Sequence, residues 1–209
     1  AYVKEPITGM HDWVLSFDLN SLYPHLIMQY NISPETKVDP GEDSFGIGVD
    51  NILKTSPETY HTGCHEKLEK FKSMGYSVAA SGTCYRKDVQ GFLPALMEKM
   101  YKERKLYKKK MIDCQKRQQS GESGLENEIA KYNNFQLVRK IQLNSAYGAI
   151  GNQWFRYYDV DLATSITLSG QLAIRWIANK LNEFLNKTVG TEDYDYVVAS
   201  DTDSVYLRC

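Results

Sequence analysis

Acidic side chains at the ends of short apolar runs are the first feature of this sequence that could do chemistry. Asp18 follows the β-prone run Trp13–Phe17, and Asp201 and Asp203 share the short link between two further apolar runs. Two carboxylates in one turn repel each other unless a cation or hydrogen-bond donors compensate them. If Asp18 adjoins this turn, the three acids predict a nest for two divalent ions, which would clamp the attacking and leaving oxygens of a phosphoryl transfer. Taken alone, the two turn acids are more typical of an ordinary Asx-type turn.

A dense group of cations is the second candidate. The stretch Lys99–Arg117 holds nine basic residues against two acidic ones, a local net charge of +7 in a chain whose formal net charge is −1. A basic stretch in an otherwise acidic chain is typical of a polyanion bound at one place, and a solvated helix face is an equally good interpretation. Arg104 and Lys108 are four residues apart, so they share one face if the stretch is helical.

A third group combines a cation, an amide and an aromatic ring. Lys140, Asn144 and Tyr147 are spaced i, i+4 and i+7, which places them on one face of a helix. The cation suits a phosphate, and the ring suits a sugar or a base. Together with Arg104 and Lys108 on a partner helix, Lys140 would close three cations around one triphosphate. For each residue alone, the alternative is a surface charge or a core tyrosine.

Apolar periodicity predicts the elements that must position these groups. The run 13–17 is predicted to be a buried strand, followed by a turn into a helix with Ser or Asn caps. Residues 33–63 lack periodicity and predict loops and short irregular elements. Because few residues join the two helices predicted after residue 90, they form an antiparallel hairpin. The remaining predictions are a small hairpin of 76–80 with 83–85, a helix from 91 to 119, a break at 120–124, a helix from 125 to 147 ended by Gly148 and Gly151, a helix from 164 to 186, and strands at 196–199 and 204–207.

The composition excludes several classes of protein. The 209 residues are 42% hydrophobic and 24% charged, a globular balance rather than a disordered one. No apolar run approaches the roughly 18 residues of a membrane span, and no signal peptide opens the chain. The four scattered cysteines indicate a reduced intracellular protein, and His61, Cys64 and His65 lack the second ligand pair of a structural zinc site. The chain lacks an initiator methionine and stops straight after a strand-like run, so we expect a piece of a longer protein.

Three motifs, in the order of the chain, resemble the polymerase motifs of family B DNA polymerases. They are DxxSLYP at Asp18–Pro24, KxxxNSxYG at Lys140–Gly148 and DTDS at Asp201–Ser204. Their shared order and separations make the resemblance far more specific than any one motif alone. Three stretches, 31–36, 155–159 and 201–206, are most similar to the replicative polymerases of T-even-like bacteriophages.

The resemblance implies an α+β fold, in which a polymerase palm of antiparallel sheet and packed helices is interrupted by an antiparallel helical hairpin, the fingers. Residues 1–90 and 153–209 would form the two parts of the palm and residues 91–152 the fingers, with exonuclease and thumb domains outside this chain. The implied activity is template-directed addition of deoxynucleotides to a primer 3′ end by two-metal phosphoryl transfer, with this piece inactive alone. Two Mg²⁺ ions, replaceable by Mn²⁺, would be the cofactor.

The implied partners are primer–template DNA and deoxynucleoside triphosphates. A sliding clamp and other replication proteins would bind through regions outside this chain, and no membrane is involved. The implied location is the cytoplasm of an infected bacterium.

The resemblance also assigns the acids. Asp18 and Asp203 would hold both metal ions, together with the backbone carbonyl of Leu19. Asp201 would be a supporting acid with a less direct role at the metals. All three acids are therefore candidate catalytic residues.

Nucleotide contacts are implied in the same way. Arg104, Lys108 and Lys140 would bind the triphosphate, Asn144 would support that site, and Tyr23 would pack under the sugar and exclude a 2′-hydroxyl. The remaining implied contacts are Ser21 and Leu22 with the nucleotide, and Tyr147 and Gly148 with the minor-groove side of the nascent base pair.

Two positions depart from the family pattern, and two other functions stay open. His25 stands where the family commonly has a small residue, and we expect it to be tolerated because it faces away from Asp18; Ser200 precedes DTDS where glycine or an aromatic residue is common. A non-catalytic module that binds nucleic acid or nucleotides is one alternative, although the retained acids argue against decay. Another palm-type enzyme is the second: the basic hairpin argues against a nucleotide cyclase, and Tyr23 argues against ribonucleotide use.

Overall fold

The computed structural model describes residues 1–39, 41–54 and 63–208, so His61 of the rejected zinc group lies outside the described residues. The strands are Val3–Lys4 (β1), Val14–Asp18 (β2), Lys37–Val38 (β3), Tyr76–Val78 (β4), Cys84–Arg86 (β5), Val197–Asp201 (β6) and Ser204–Arg208 (β7). The α-helices are Leu22–Tyr30 (α1), Val49–Leu53 (α2), Gly63–Ser73 (α3), Phe92–Gln119 (α4), Glu126–Ile150 (α5) and Val160–Val189 (α6). The predicted α+β fold with antiparallel sheets is therefore confirmed.

The larger sheet has the strand order β1-β6-β7-β2, and its neighbouring strands are antiparallel. The hairpin of β6 and β7 forms as predicted. The strand at β2 also forms, but the prediction that it is buried is wrong: Phe17 is 51% exposed and Trp13, just before the strand, is 85% exposed. The physical reason is its place in the sheet. Ile174 of α6 packs on Val197 and Val205 of the hairpin, whereas β2 lies at the edge beyond them.

The predicted helical hairpin is confirmed as α4 and α5, joined by residues 120–125. Across the pair, Arg139 bonds Glu103 at 2.7 Å, and the rings of Tyr107 and Phe135 lie 5.1 Å apart. The prediction that Gly148 ends the second helix is wrong, since α5 runs through it to Ile150 with Gly151 as its cap. A glycine inside a helix weakens it by only about 1 kcal/mol, which tertiary packing overrides.

Helix α6 is longer at both ends than the predicted 164–186. Its N-cap is Asp159, whose carboxylate accepts hydrogen bonds from the backbone amides of Asp161 and Leu162. This cap fixes the start of the helix four residues earlier than periodicity suggests. Lys37 bonds both Asp159 and Asp161, so the cap is also tied to β3.

The main core joins the helices to the small sheet β3-β5-β4, whose β4–β5 hairpin forms as predicted. Its buried members include Ile27 of α1, Met97 of α4, Leu143 of α5 and Ile166 of α6. Packing of α1 between the hairpin and α6 fixes the segment that follows Asp18. No helix in the described ranges is long and apolar enough to span a membrane.

Candidate active site

Two of the predicted acids meet at one end of the larger sheet. In the pairing of β2 with β7, Asp18 lies opposite Ser204, and the amide of Leu19 donates to the carbonyl of Asp203 at 2.8 Å. Residues at opposite ends of the chain are thereby held side by side by main-chain hydrogen bonds. The predicted approach of Asp18 to the DTDS turn is confirmed.

The local electrostatics favour a bound cation. Burial, followed by the negative charges of Asp18 and Asp201, raises the pKa of Asp203 above its ordinary value. Neither Asp18 nor Asp203 forms an ion pair with a described Lys or Arg, so these carboxylates keep uncompensated charge. Carboxylate oxygens of this kind fit a hard divalent cation.

The third acid does not complete the predicted nest. The carboxylate of Asp201 accepts a hydrogen bond from the hydroxyl of Thr202 at 2.8 Å. In the part of the chain that the structure describes, no three His, Cys, Asp or Glu side chains lie close enough together to hold a metal ion. The assignment of Asp18, Leu19 and Asp203 as metal ligands therefore stays a prediction.

The turn that carries Asp203 is strained. Thr202 has a φ of 53°, and the amide of Asp203 bonds the carbonyl of Asp201 at 2.5 Å, closing a three-residue γ-turn. This main-chain bond replaces the Asx-type turn that remained as the alternative for these residues. A β-branched residue in the left-handed region costs about 1–3 kcal/mol and is found mainly at functional sites.

A second left-handed residue lies nearby, at Ser21, also with a φ of 53°. Ser21 occupies the N-cap position of α1, but its side chain makes no capping hydrogen bond, so the predicted Ser or Asn side-chain cap is wrong. A backbone in the left-handed region turns the hydroxyl away from the amides it would cap. The hydroxyl instead accepts a hydrogen bond from Nη1 of Arg104 at 3.3 Å.

The three motifs converge on one cavity of about 190 Å³. Tyr147 of the second motif packs against Tyr23, a lining residue from the first, with ring centroids 4.8 Å apart and ring planes inclined at 56°. Burial, with smaller contributions from Tyr147 and Asp203, raises the pKa of the Tyr23 hydroxyl, which stays protonated at neutral pH. The residues that line the cavity are Ser21, Leu22, Tyr23, Pro24, Asn144, Thr202 and Asp203.

One residue that supports this cavity was missed by sequence analysis. Gly170 of α6 lies behind Tyr23, and a Cβ atom at Gly170 would come within 3.1 Å of Cε1 of Tyr23. Such a contact is closer than ordinary van der Waals packing, so the ring position depends on a glycine here. The available signal was a glycine inside a strongly periodic helical stretch, which often marks a packing requirement.

The predicted basic face lines a neighbouring cleft of about 470 Å³. Arg104 and Lys108 lie in this cleft opposite Asn20, the residue before Ser21. The Nε atom of Arg104 is buried and has no hydrogen-bond partner among the described residues. An unsatisfied buried donor of this kind is unfavourable until an acceptor arrives.

Two predicted residues of α5 stand apart from both cavities. Lys140 is exposed, lines neither the 190 Å³ cavity nor the basic cleft, and makes no ion pair within the described ranges. Gly148 is exposed too, and a Cβ atom there would meet nothing within 4 Å. Their roles toward the triphosphate and the base pair stay predictions.

His25 joins the first motif to the helical hairpin. Its Nδ1 lies 2.9 Å from the carbonyl oxygen of Ser21, and its ring packs edge-on against Tyr101 of α4 with centroids 4.6 Å apart. The contacts recorded for this position do not include Asp18, and the tolerance of His25 stays a prediction. The second departure, Ser200, is buried on β6, and its hydroxyl has no partner among the described residues.

Comparison with known proteins decides the family. The sequence profile of DNA polymerase family B matches residues 1–209. The chain belongs to DNA polymerase family B. It is 34% identical to the DNA-directed DNA polymerase of Escherichia phage RB69 and 35% identical to that of Enterobacteria phage T4, each over 99% of this chain. The chain spans about a quarter (26%) of the length of these two relatives.

Solved structures place this family B chain in the same fold. It resembles the family B DNA polymerase from the hyperthermophilic archaeon Pyrobaculum calidifontis with a TM-score of 0.58 at 26% identity, covering 99% of this chain and 21% of that one. The predicted resemblance to family B, and to its T-even-like phage members, is confirmed.

Proposed function

We propose that this family B chain is the central part of a DNA polymerase and adds deoxynucleotides to a primer 3′ end under the direction of a template. The observation that carries the proposal is the convergence of three separate motifs on one cavity beside uncompensated carboxylates. In the reaction, the primer 3′ oxygen bonds to the α-phosphorus of the nucleotide, pyrophosphate leaves, and the hydroxyl proton is lost to water.

The acidic end of the sheet supports the role of a metal-binding centre. Asp18, Asp203 and the carbonyl of Leu19 would hold two Mg²⁺ ions, or Mn²⁺ in their place, with Asp201 as supporting acid. When bound, such ions lower the pKa of the primer hydroxyl and neutralise developing charge on phosphate oxygens. The donor set fits, because these are oxygen ligands and the two carboxylates have no cationic partner among the described residues.

The remaining roles belong to the chain's own cations and rings. Arg104, Lys108 and Lys140 would neutralise the triphosphate, in agreement with the unsatisfied Nε of Arg104. Tyr23 would lie under the sugar and reject a 2′-hydroxyl, backed by Tyr147. Asn144, Ser21 and Leu22 would complete the nucleotide site, and Tyr147 with Gly148 would face the minor groove of the new base pair.

The proposal also covers the domain organisation, the substrates and the cellular location. Residues 1–90 and 153–209 would be the palm and 91–152 the fingers, because α4, paired with α5, carries the basic cleft and the larger sheet carries the acids. Primer–template DNA and deoxynucleoside triphosphates would be the substrates. Because the phage relatives replicate inside bacteria, we place the enzyme in the cytoplasm of an infected cell, with clamp and replication partners bound outside this chain.

Primer extension by the full-length polymerase that contains this chain tests the proposal. We expect template-dependent incorporation of deoxynucleotides with Mg²⁺, much slower incorporation of ribonucleotides, and a rate at least about 10²-fold lower in Asp203→Ala. Equal use of both sugars would favour an RNA-synthesising palm enzyme. Primer–template binding without any extension would favour the non-catalytic module.

The 209-residue chain alone should extend primers at least about 10²-fold more slowly than the full-length enzyme. The edge strand β2 carries Asp18 but is exposed on both faces, and misplacement of reacting groups by 1 Å costs on the order of 10²-fold in rate. Single-turnover extension with equal amounts of folded protein measures this. A matching rate would show that residues 1–209 suffice.

A further inference from the structure

The basic cleft continues along α4 well beyond the residues assigned to the triphosphate. Besides Arg104 and Lys108, its lining includes Lys105, Lys109 and Lys116. These positions recur at intervals of three, four and seven residues, so they follow one face of the helix. The proposed triphosphate contacts therefore form only the inner end of a longer basic surface.

The cations of α4 differ in whether a neighbouring side chain contacts them. On other faces, Lys102 bonds Glu98 at 2.5 Å, Arg117 bonds Glu122, and Lys110 lies over the ring of Tyr132 on α5. Lys109 and Lys116 make no such contact with any described residue. Inside the cleft, Lys105 lies over the ring of Tyr101, so Lys109 and Lys116 are the lining cations of its outer part that have no partner among the described residues.

The length of the surface means that its two ends cannot serve one bound triphosphate. Arg104 and Lys116 are twelve residues apart, which is about 18 Å along an α-helix. The Debye length at physiological ionic strength is about 8 Å, so Lys116 interacts weakly with a polyphosphate held at Arg104. Lys116 can act on that ligand only before it reaches Arg104 or after it leaves.

Resting on the proposed function, we infer that Lys116 forms an outer binding station for a polyphosphate moving to or from the inner site, with Lys109 lying between the two. The ligand chemistry is shared by the triphosphate of an entering nucleotide and the leaving pyrophosphate. Asp113, the acid in the same lining, lowers the affinity of this station for polyphosphate, so the ligand binds there and also dissociates readily.

The cleft favours a small polyphosphate over a nucleic-acid strand. Its volume of about 470 Å³ lies in the usual range for small-molecule sites. Grooves for single strands combine cations with free aromatic platforms. The aromatic residue of this lining, Tyr101, is instead engaged by His25 on one side and by Lys105, whose Nζ lies 5.9 Å from the ring centroid.

The test compares Lys109→Gln, Lys116→Gln and the double variant with Lys110→Gln, which removes the same charge from an adjacent position outside the cleft. In the full-length enzyme, stopped-flow measurement should show nucleotide association slowed about 3- to 10-fold in the double variant at low salt, since steering by local charge changes association rates by such factors. The difference should shrink as ionic strength rises. Lys110→Gln should match the unmodified enzyme, and Asp113→Asn should bind inorganic pyrophosphate more tightly.

Two arms distinguish the sources of the ligand. Slower nucleotide association with unchanged inhibition by pyrophosphate assigns the station to entry, and the reverse result assigns it to exit. If the double variant behaves like Lys110→Gln in both arms, or instead loses affinity for primer–template DNA alone, the inference is wrong. If the unmodified enzyme does not synthesise DNA, the proposed function fails separately, and binding of inorganic pyrophosphate to the same variants still decides whether the station exists.

Discussion

The acidic end of the sheet and the basic face of the helical hairpin are built in opposite ways. The acids come from β2 and from the β6–β7 turn, at opposite ends of the chain, and meet through strand pairing. The cations that line the cleft all come from the single helix α4. One site depends on non-local structure, and the other on helical periodicity alone.

The two regions also differ in how much strain and charge repulsion they hold in the folded state. The acidic site holds like charges together, raises the pKa of Asp203 and keeps Thr202 in a strained conformation. The basic face keeps its lysines in solvent on a long helix, where unpaired charges cost little. Strain and repulsion gathered at one point indicate that the acidic site is shaped for a ligand rather than for stability.

Substitutions of the acidic residues should have the largest effect on activity. Asp18→Ala and Asp203→Ala in the full-length enzyme should each slow single-turnover extension by about 10²–10³-fold or more, with primer–template affinity largely kept. Asp201→Ala should cost less, because its carboxylate is already held by the hydroxyl of Thr202. Equal losses for all three acids would contradict this order and mean that Asp18, Asp201 and Asp203 act as a single unit.

Changes to the basic face should weaken nucleotide binding rather than the chemical step. Each lost charged contact is worth about 1.5–3 kcal/mol, or about 10- to 150-fold in affinity. Arg104→Ala should have the largest effect, because its guanidinium is anchored on Ser21 and holds an unsatisfied donor. Lys140→Ala should have the smallest, and Lys108→Ala an intermediate one.

Titration of the single-turnover rate with nucleotide measures these affinities, with Lys110→Gln as the charge-matched control. The order of the three variants is the informative result. A dominant effect of Lys140→Ala would show that α5 moves toward the cleft when nucleotide binds.

Much of this comparison could be predicted from sequence, because motifs and periodicity are local signals. The helical hairpin, the β6–β7 turn and the approach of Asp18 to Asp203 all form as predicted. The earlier start of α6 also had a local signal, the N-cap residue Asp159, which periodicity alone passed over.

The remainder depends on tertiary structure that no local pattern encodes. An apolar run such as 13–17 is the same in a central strand and in an edge strand, so the exposure of β2 could not be foreseen. The left-handed backbone at Ser21 and Thr202 occurs at residue types that rarely adopt it. The contact of Gly170 with Tyr23 joins two helices far apart in sequence.

That contact gives a smaller effect on sugar selection. Gly170→Ala should push the ring of Tyr23 a few tenths of an ångström into the cavity, because the new Cβ would lie 3.1 Å from Cε1. We expect deoxynucleotide incorporation to fall several-fold and ribonucleotide incorporation to fall further, since over-packing costs about 1–3 kcal/mol. Competition between the two sugars at one template position measures the ratio, and Gly48→Ala is the control, because the backbone of Gly48 is extended and a Cβ atom there would meet nothing within 4 Å. A ratio that moves toward ribonucleotides would show that the ring retreats instead.

The smallest expected effect is a gain in stability at the acidic site. Burial and the charges of Asp18 and Asp201 raise the pKa of Asp203, so the folded state binds a proton more tightly there than the unfolded state does. By linkage, ionisation of Asp203 lowers stability as the pH rises from its ordinary pKa through the raised one, and the penalty persists at neutral pH. Asp203→Asn should therefore unfold at a temperature higher by about 1–2 °C near pH 7, since such charge repulsions are worth below about 1 kcal/mol.

Thermal unfolding of the chain in a metal chelator measures this gain in stability, which should vanish in acid. Asp12→Asn, at an exposed carboxylate with no ion pair among the described residues, is the control. Excess Mg²⁺ should reverse the order, because an ion bound to the native carboxylates stabilises only the unmodified chain. If Asp203→Asn were less stable than the unmodified chain in the chelator, the carboxylates would not be in conflict, and the contrast between the two regions would lose its energetic basis.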